Sequence, residues 1–231
     1  MSFDEIKIVF EDSAMLVVDK PASLSVHNGP INLIELLAEQ RGVRLKPVHR
    51  LDSETSGLIL LAKTAEAAAE LQASLSASGC HKEYLAVTRG APSALSGDWT
   101  APLTTKAEGR RAPAGQLRDR VEAHTRFEVL DQTPWLSLLR CQLFTGRQHQ
   151  IRKHAALAGC HLLGDRRYGD PKHAKAMKNR FKLDHTALHA ARLTFTTRER
   201  TYALSAAPPL DWDSFGFEEL TAQRRALSAS R

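Results

Sequence analysis

Residues 49–57 read His-Arg-Leu-Asp-Ser-Glu-Thr-Ser-Gly and place one carboxylate, Asp52, between an arginine and a run of small hydroxyl and glycine residues. An apolar run, residues 58–62, follows at once and reads as a buried strand. A carboxylate on a glycine-containing loop beside a strand is held rigidly yet stays within reach of a ligand, which suits covalent or acid–base chemistry. The competing reading is an aspartate that caps turn amides, the commonest job for Asp beside Ser, Thr and Gly. A second group of residues shifts that balance. Residues 145–152, Thr-Gly-Arg-Gln-His-Gln-Ile-Arg, set Arg147 at a strand-to-helix junction, where a guanidinium can pair with a carboxylate and favour its charged form. The dipole at a helix start disfavours a cation, so an arginine there points to a partner. Tyr84, within Lys82-Glu83-Tyr84-Leu85, is either a core-edge residue with a wet hydroxyl or a phenol that stacks under a base and passes a proton. The sequence leaves both readings of Tyr84 open.

Other chemistries find less support. His149 and His154, with Cys160 and His161 following, suggest a metal-dependent hydrolase. Helical zinc pairs, however, are spaced i, i+4 with an acidic base between them, and neither feature is present. We therefore expect no metal, and hydrogen bonds from these rings to backbone or phosphate. No G-x-G-x-x-G or P-loop sequence occurs, and no serine stands in a G-x-S-x-G setting.

The elements that must position these groups are mostly short. Residues 6–10 and 15–18 read as strands around a turn at 11–13, the second stopped by Lys20-Pro21. Asn32 with Glu35 forms a capping box for a helix that carries Leu33, Leu36 and Leu37 and ends at Gly42. Thr64 caps a helix over residues 65–77, closed by Gly79, and a strand follows over 84–88. Residues 91–120 are poor in large apolar side chains and carry Lys106, Arg110, Arg111, Arg118 and Arg120, which predicts a long, partly mobile, basic connection. Strands are expected near 126–130 and 135–144, then a helix to about Ala158 with Gly159 at its end. A second basic stretch, residues 166–182, holds Arg166, Arg167, Lys172, Lys175, Lys178, Arg180 and Lys182. Residues 187–195 and 201–204 look like a hairpin, and the tail from Thr221 lacks a clear core face and is expected to fray. Strands outnumber helices without regular alternation, which argues an α+β fold with a mixed or antiparallel sheet.

Bulk properties set the class. A chain of 231 residues, 42% hydrophobic and 25% charged, is an ordinary globular protein long enough for an ample core. Its net charge of +6 is compatible with a polyanionic partner. Three cysteines, Cys80, Cys141 and Cys160, are odd in number and read as reduced thiols, which points to the cytoplasm. The first five residues are acidic, without an apolar core of signal-peptide type, and no apolar run approaches the ~20 residues needed to cross a bilayer.

Taken together, these segments resemble the RluA family of pseudouridine synthases. His49-Arg50-Leu51-Asp52 with Thr55-Ser56-Gly57 is similar to the family's catalytic motif, Lys82-x-Tyr84 to its tyrosine motif, and Thr145-Gly146-Arg147 with His149-Gln150-Ile151-Arg152 to its arginine motif. Gly164-Asp165, Tyr168-Gly169 and Leu188-His189-Ala190 follow in the family's order, and the opening fits through Glu11-Asp12 and Lys20-Pro21. The similarity extends over residues 6–209. Two departures are evident: no S4-like RNA-binding module is expected before the core, and Cys160-His161-Leu162-Leu163 stands where many members carry His-Pro-Ile.

The resemblance implies a pseudouridine-synthase fold, with a central mixed or antiparallel sheet flanked by helices and loops and a cleft across the middle. It implies a catalytic domain over residues 1–210 and a C-terminal tail over 211–231. The implied activity isomerises uridine in RNA without a cofactor, with Asp52 as the catalytic carboxylate, Arg147 as its ion-pair partner and Tyr84 stacked on the uracil. The target nucleotide must flip out of its stack at a cost of a few kcal/mol. Candidate RNA contacts are His49, Arg50, Thr55, Arg110, Arg111, Arg118, Gln150, Arg152, Arg166, Arg167 and Lys172. The implied partner is structured RNA, a tRNA stem-loop or an rRNA hairpin, read by a monomer with no membrane association. The small size favours tRNA. An RNA-binding protein of this fold that lost activity is the alternative, against which the intact Asp52, Tyr84 and Arg147 count.

Overall fold

The computed structural model describes residues 6–229. The reading of the first five residues as lacking a signal core, and the last two residues of the tail, lie outside that range. The chain divides into two compact units, residues 1–82 with 190–207 and residues 83–189 with 208–231.

The first unit begins with β1 (Lys7–Glu11) and β2 (Met15–Lys20), joined by a turn in which Asp12 Oδ1 accepts from the Ala14 and Met15 amides, each at 2.8 Å. Helix α1 (Leu33–Arg41) is capped as its sequence predicts: Asn32 Oδ1 accepts from Glu35 N at 3.1 Å, and Gly42, at φ +65°, closes the last turn. After a short β3 (Lys46–Pro47), β4 (Ser56–Ala62) is buried along its whole length and pairs antiparallel with β2. Thr64 caps α2 (Ala65–Ser76), whose Ala67, Leu71 and Leu75 recur at helical spacing and face Leu58, Leu60 and Phe195 in one apolar cluster. The helix stops at Ala77, before the glycine expected to close it.

Strand β5 (His81–Arg89) carries the chain into the second unit. The basic connection expected over 91–120 is ordered. It contains β6 (Ser96–Trp99), which pairs with β9 (Thr125–Gln132), and a two-stranded ribbon of β7 (Leu103–Thr104) with β8 (Arg120–Val121). Leu103, Ala114 and Ala123 form a small core beneath the ribbon, and Arg120 donates twice to Gly115 O (2.8 and 3.1 Å). A polar, glycine-rich segment hides such structure because its order comes from a few small side chains and from hydrogen bonds to distant residues. Strand β10 (Leu136–Leu143) pairs antiparallel with β9, and α3 (Gln150–Leu157) and α4 (Pro171–Phe181) follow.

Strand β11 (Leu188–Thr197) returns the chain to the first unit and forms the expected hairpin with β12 (Arg200–Ser205). Arg198 and Glu199 both adopt positive φ (48° and 61°), the backbone that a two-residue turn needs to match the strand twist. In the second unit, Trp212, Phe215, Phe217 and Leu220 are buried, and α5 (Glu218–Ala229) extends through the segment expected to fray. The α+β class is as expected: short strands in sheets, flanked by helices. No helix among the described residues is long and apolar enough to cross a membrane. Cys80, Cys141 and Cys160 are free.

Candidate active site

In the first unit, Asp52 occupies a tight turn in which its carbonyl accepts from Thr55 N at 3.1 Å, and its residue is half-buried. Two features hold the turn. From below, the fully buried Lys20 donates to Pro21 O (2.8 Å), Leu24 O (2.8 Å) and Ser53 O (3.2 Å), which uses all three donors of an ammonium. Burial pulls the Lys20 ammonium down to about 7, while the charges of Asp52 and Asp19 pull it back up. At the C-terminal end, Gly57 adopts φ +106°, and a Cβ there would lie 2.4 Å from Ala190 O and 2.6 Å from Ala190 N. Only glycine lets the loop enter β4 this close to the β11 backbone. The sequence marked Lys20 as the end of a strand and, with Pro21, as part of the family resemblance, but not as the support of the Asp52 turn, because a lysine between an apolar run and a proline reads as surface.

The other residues of this motif have internal work. His49 Nε2 accepts from Leu60 N at 3.1 Å, and burial, with Lys82 nearby, pulls its pKa down to about 4 despite a backbone hydrogen bond at Arg50. The ring is neutral at physiological pH and secures the loop to β4, so it is no phosphate-binding cation. Thr55, expected as an RNA contact, is buried and its hydroxyl has no hydrogen-bond partner. Arg50 is exposed.

In the second unit, Tyr84 is buried in β5. Arg147 lies in the turn between β10 and α3, where its Nε donates to Glu122 O at 2.8 Å. Gln150 fixes that turn: its Oε1 accepts from Arg147 N (3.0 Å) and Thr145 Oγ1 (2.7 Å), and its Nε2 donates to His124 O and Thr125 Oγ1, each at 2.9 Å. His149, at φ +55°, starts the helix, and its Nδ1 lies 2.9 Å from the Tyr168 hydroxyl. The amide of Gln150 is thus occupied on both sides, and its residue, expected as an RNA contact, is buried where it fixes the Arg147 backbone.

Arg152, also expected as an RNA contact, is likewise engaged inside the protein. Its side chain is 4% exposed and forms a bidentate ion pair with Asp165 (2.8 and 2.9 Å), itself 1% exposed. Burial alone would raise the Asp165 carboxyl, but the hydrogen bonds and charge of Arg152 hold it below its usual range. The next two residues of α3 are also spent internally. Lys153 Nζ donates to Thr104 O (2.9 Å) and Lys106 O (2.7 Å), and the two ring nitrogens of His154 meet Thr125 Oγ1 (2.9 Å) and Ala101 O (3.0 Å). These bonds anchor the basic 91–120 segment. They also engage both possible ligating atoms of His154, and no group of three or more His, Cys, Asp or Glu side chains among the described residues could hold a metal ion. Arg110, Arg111, Arg118, Arg166, Arg167 and Lys172 are exposed. Of these, Arg110 lies 3.8 Å from Asp170, Arg166 donates to Asp184 O, and Arg167 donates to Glu108 O.

A solved human structure, RNA pseudouridylate synthase domain containing 4, shares the fold at a TM-score of 0.75, with 26% identity over 92% of this chain and 94% of that one. The family model for RNA pseudouridylate synthase matches residues 14–157, which include Asp52, Tyr84 and Arg147, and the chain belongs to that family. Ribosomal large subunit pseudouridine synthase C of Escherichia coli is 34% identical over 215 residues, covering 88% of this chain and 66% of that protein. The chain therefore spans just under two thirds of that relative's length. An RNA pseudouridine synthase of Haemophilus influenzae is 35% identical over 207 residues, with 88% of each chain covered.

Proposed function

We propose that the chain converts uridine to pseudouridine in RNA, with Asp52 as the catalytic carboxylate. The observation that carries the proposal is the Asp52 turn itself, locked by Lys20 below and by Gly57 at its end, inside the segment matched by the family model. In this reaction the N1–C1′ bond of a flipped-out uridine breaks, the base turns, and a C5–C1′ bond forms. The C5 proton leaves and N1 gains one, so atoms and charge balance without a cofactor. Asp52 acts at the sugar as the base departs. Tyr84 stacks on the uracil and accepts the C5 proton, and Arg147 keeps a carboxylate ionised. The catalytic domain is residues 1–210, with 211–231 as its appendage, and the protein works as a cytoplasmic monomer.

The names of the relatives favour structured large-subunit ribosomal RNA as the substrate over the tRNA that size alone suggested. Exposed Arg50, Arg110, Arg111, Arg118, Arg166, Arg167 and Lys172 supply the phosphate contacts, while His49, Thr55, Gln150 and Arg152 leave that set. The test is pseudouridine mapping on a large-subunit rRNA transcript treated with purified protein or with Asp52→Asn. Wild type should modify discrete uridines, and the variant should modify none while its circular dichroism and RNA affinity stay nearly unchanged. Activity surviving in Asp52→Asn removes Asp52 from the chemistry.

A further inference from the structure

The second unit contains a cavity of about 350 Å³ whose wall includes Arg89, Trp135, His161, Leu163, His173 and Met177. None of these carries a role in the activity proposed above. Trp135 is 75% exposed, whereas Trp212 is fully buried and Trp99 stacks on Phe127 at 4.5 Å. Leaving one of the largest apolar rings in water is unfavourable, and an exposed indole beside a cavity reads as a contact surface. Its backbone is pinned: Trp135 O accepts from Gly90 N at 2.9 Å, and Thr133 exchanges hydrogen bonds with Leu136 across the turn (2.9 and 3.1 Å). A ring presented from a fixed backbone loses little entropy when something stacks on it.

The polar groups of the cavity define what stacks there. Arg89 is exposed at the wall, with its NH1 2.7 Å from His173 Nε2. Helix α4 forms the adjoining side and presents Lys172, Lys175, Lys178 and Arg180 to solvent. The acids nearby are already engaged. Asp165 is paired with Arg152, and Asp170 caps Lys172 N and lies within 4 Å of Arg110 and His173. An exposed indole beside surplus cations matches a ligand that is planar and anionic. We propose that this cavity holds an unpaired nucleotide of the RNA strand, with its base on Trp135 and its phosphate at Arg89.

The proposal rests on RNA as the partner, and its probe is chosen to be independent of uridine chemistry. A single-stranded oligoadenylate five nucleotides long carries no uridine, so it reports this site whether or not the protein makes pseudouridine. Of the three tryptophans, only Trp135 is largely exposed, so saturable quenching of intrinsic fluorescence reads stacking there. Quenching should vanish in Trp135→Ala, and anisotropy of a labelled oligomer should show binding weakened roughly tenfold in that variant, the scale of one lost base–aromatic stack. Arg89→Ala should weaken binding several-fold while leaving the quench amplitude at saturation. Circular dichroism of both variants should match wild type, since both positions are exposed. Absent or non-saturable quenching in the wild type overturns the proposal, as does an unchanged affinity in Trp135→Ala. Quenching by adenosine monophosphate as tight as by the oligomer also overturns it, because the cavity would then be a free-nucleotide site.

Discussion

Replacing Asp165 by Asn separates scaffold from RNA contact at the arginine motif. The substitution preserves shape but leaves the Arg152 guanidinium, 4% exposed, without its counter-charge and with an amide NH₂ facing one of its donors. Removing one partner of a buried pair costs about 3–5 kcal/mol, because the surviving charge stays desolvated. With a urea m-value of about 2–3 kcal/mol/M, the unfolding midpoint should fall by about 1–2.5 M. Arg152→Met with Asp165→Leu should recover only part of that loss, since apolar groups replace the pair beneath Tyr168 but leave the Arg167 and Tyr168 amides, which donate to Asp165 Oδ1, unpaired. The pH dependence has a definite sign. The folded state holds Asp165 below the ordinary carboxylate range, so the pair's stabilisation is present above about pH 4 and disappears as pH falls through the lowered pKa. Asp165→Asn should lack that acid limb. A midpoint shift below about 0.3 M together with a marked loss of RNA affinity would refute the argument and return Arg152 to the RNA-binding surface.

Three further perturbations address the positioning of the two site segments. Gly57→Ala places a Cβ 2.4 Å from a β11 carbonyl at φ +106°, and strain plus overpacking should cost about 2–6 kcal/mol, read by denaturant titration; a shift under 1 kcal/mol would mean the strands separate freely. Gln150→Ala frees the Arg147 amide and the Thr145 hydroxyl, so pseudouridine formation should slow by roughly tenfold or more at saturating RNA with RNA affinity little changed, whereas a pure affinity defect would make Gln150 a contact residue. Lys20 is harder to protonate when folded, so the native state binds fewer protons than the unfolded chain and stability should rise as pH climbs from about 7 toward 10. Lys20→Met should flatten that rise in pH-dependent unfolding curves, and an unchanged slope would assign it to other groups.

The elements that were legible in the sequence are those whose signal is local. Leu58 to Ala62 announced a buried strand by composition alone, and Asn32 and Thr64 announced two helix starts because capping is settled within three residues. From Thr221 the chain is helical, and its side chains over 221–226 are exposed or half-buried as expected, while Leu220 and the aromatic residues before it bury the start of α5. Residues 91–120 were misjudged. Their order depends on Lys153 and His154, some fifty positions away, reaching back to Thr104, Lys106 and Ala101. No window of sequence records such a contact.

The arginine motif shows why motif residues and contact residues are different sets. Over residues 145–154 the chain carries five cationic or imidazole groups and two glutamines, a composition that reads as a polar surface. Yet Gln150, Arg152, Lys153 and His154 are all buried, each with its polar atoms engaged inside the protein. A buried polar atom without a partner costs about 1–3 kcal/mol, so each of these side chains fixes a neighbour's geometry as it satisfies its own. The consequence reaches Arg147: its amide is held by Gln150, its guanidinium by Glu122 O, and the helix that follows is tied on three sides. A short motif rich in polar residues therefore encodes several buried side chains that fix the turn carrying Arg147, the arginine proposed above to act in the reaction.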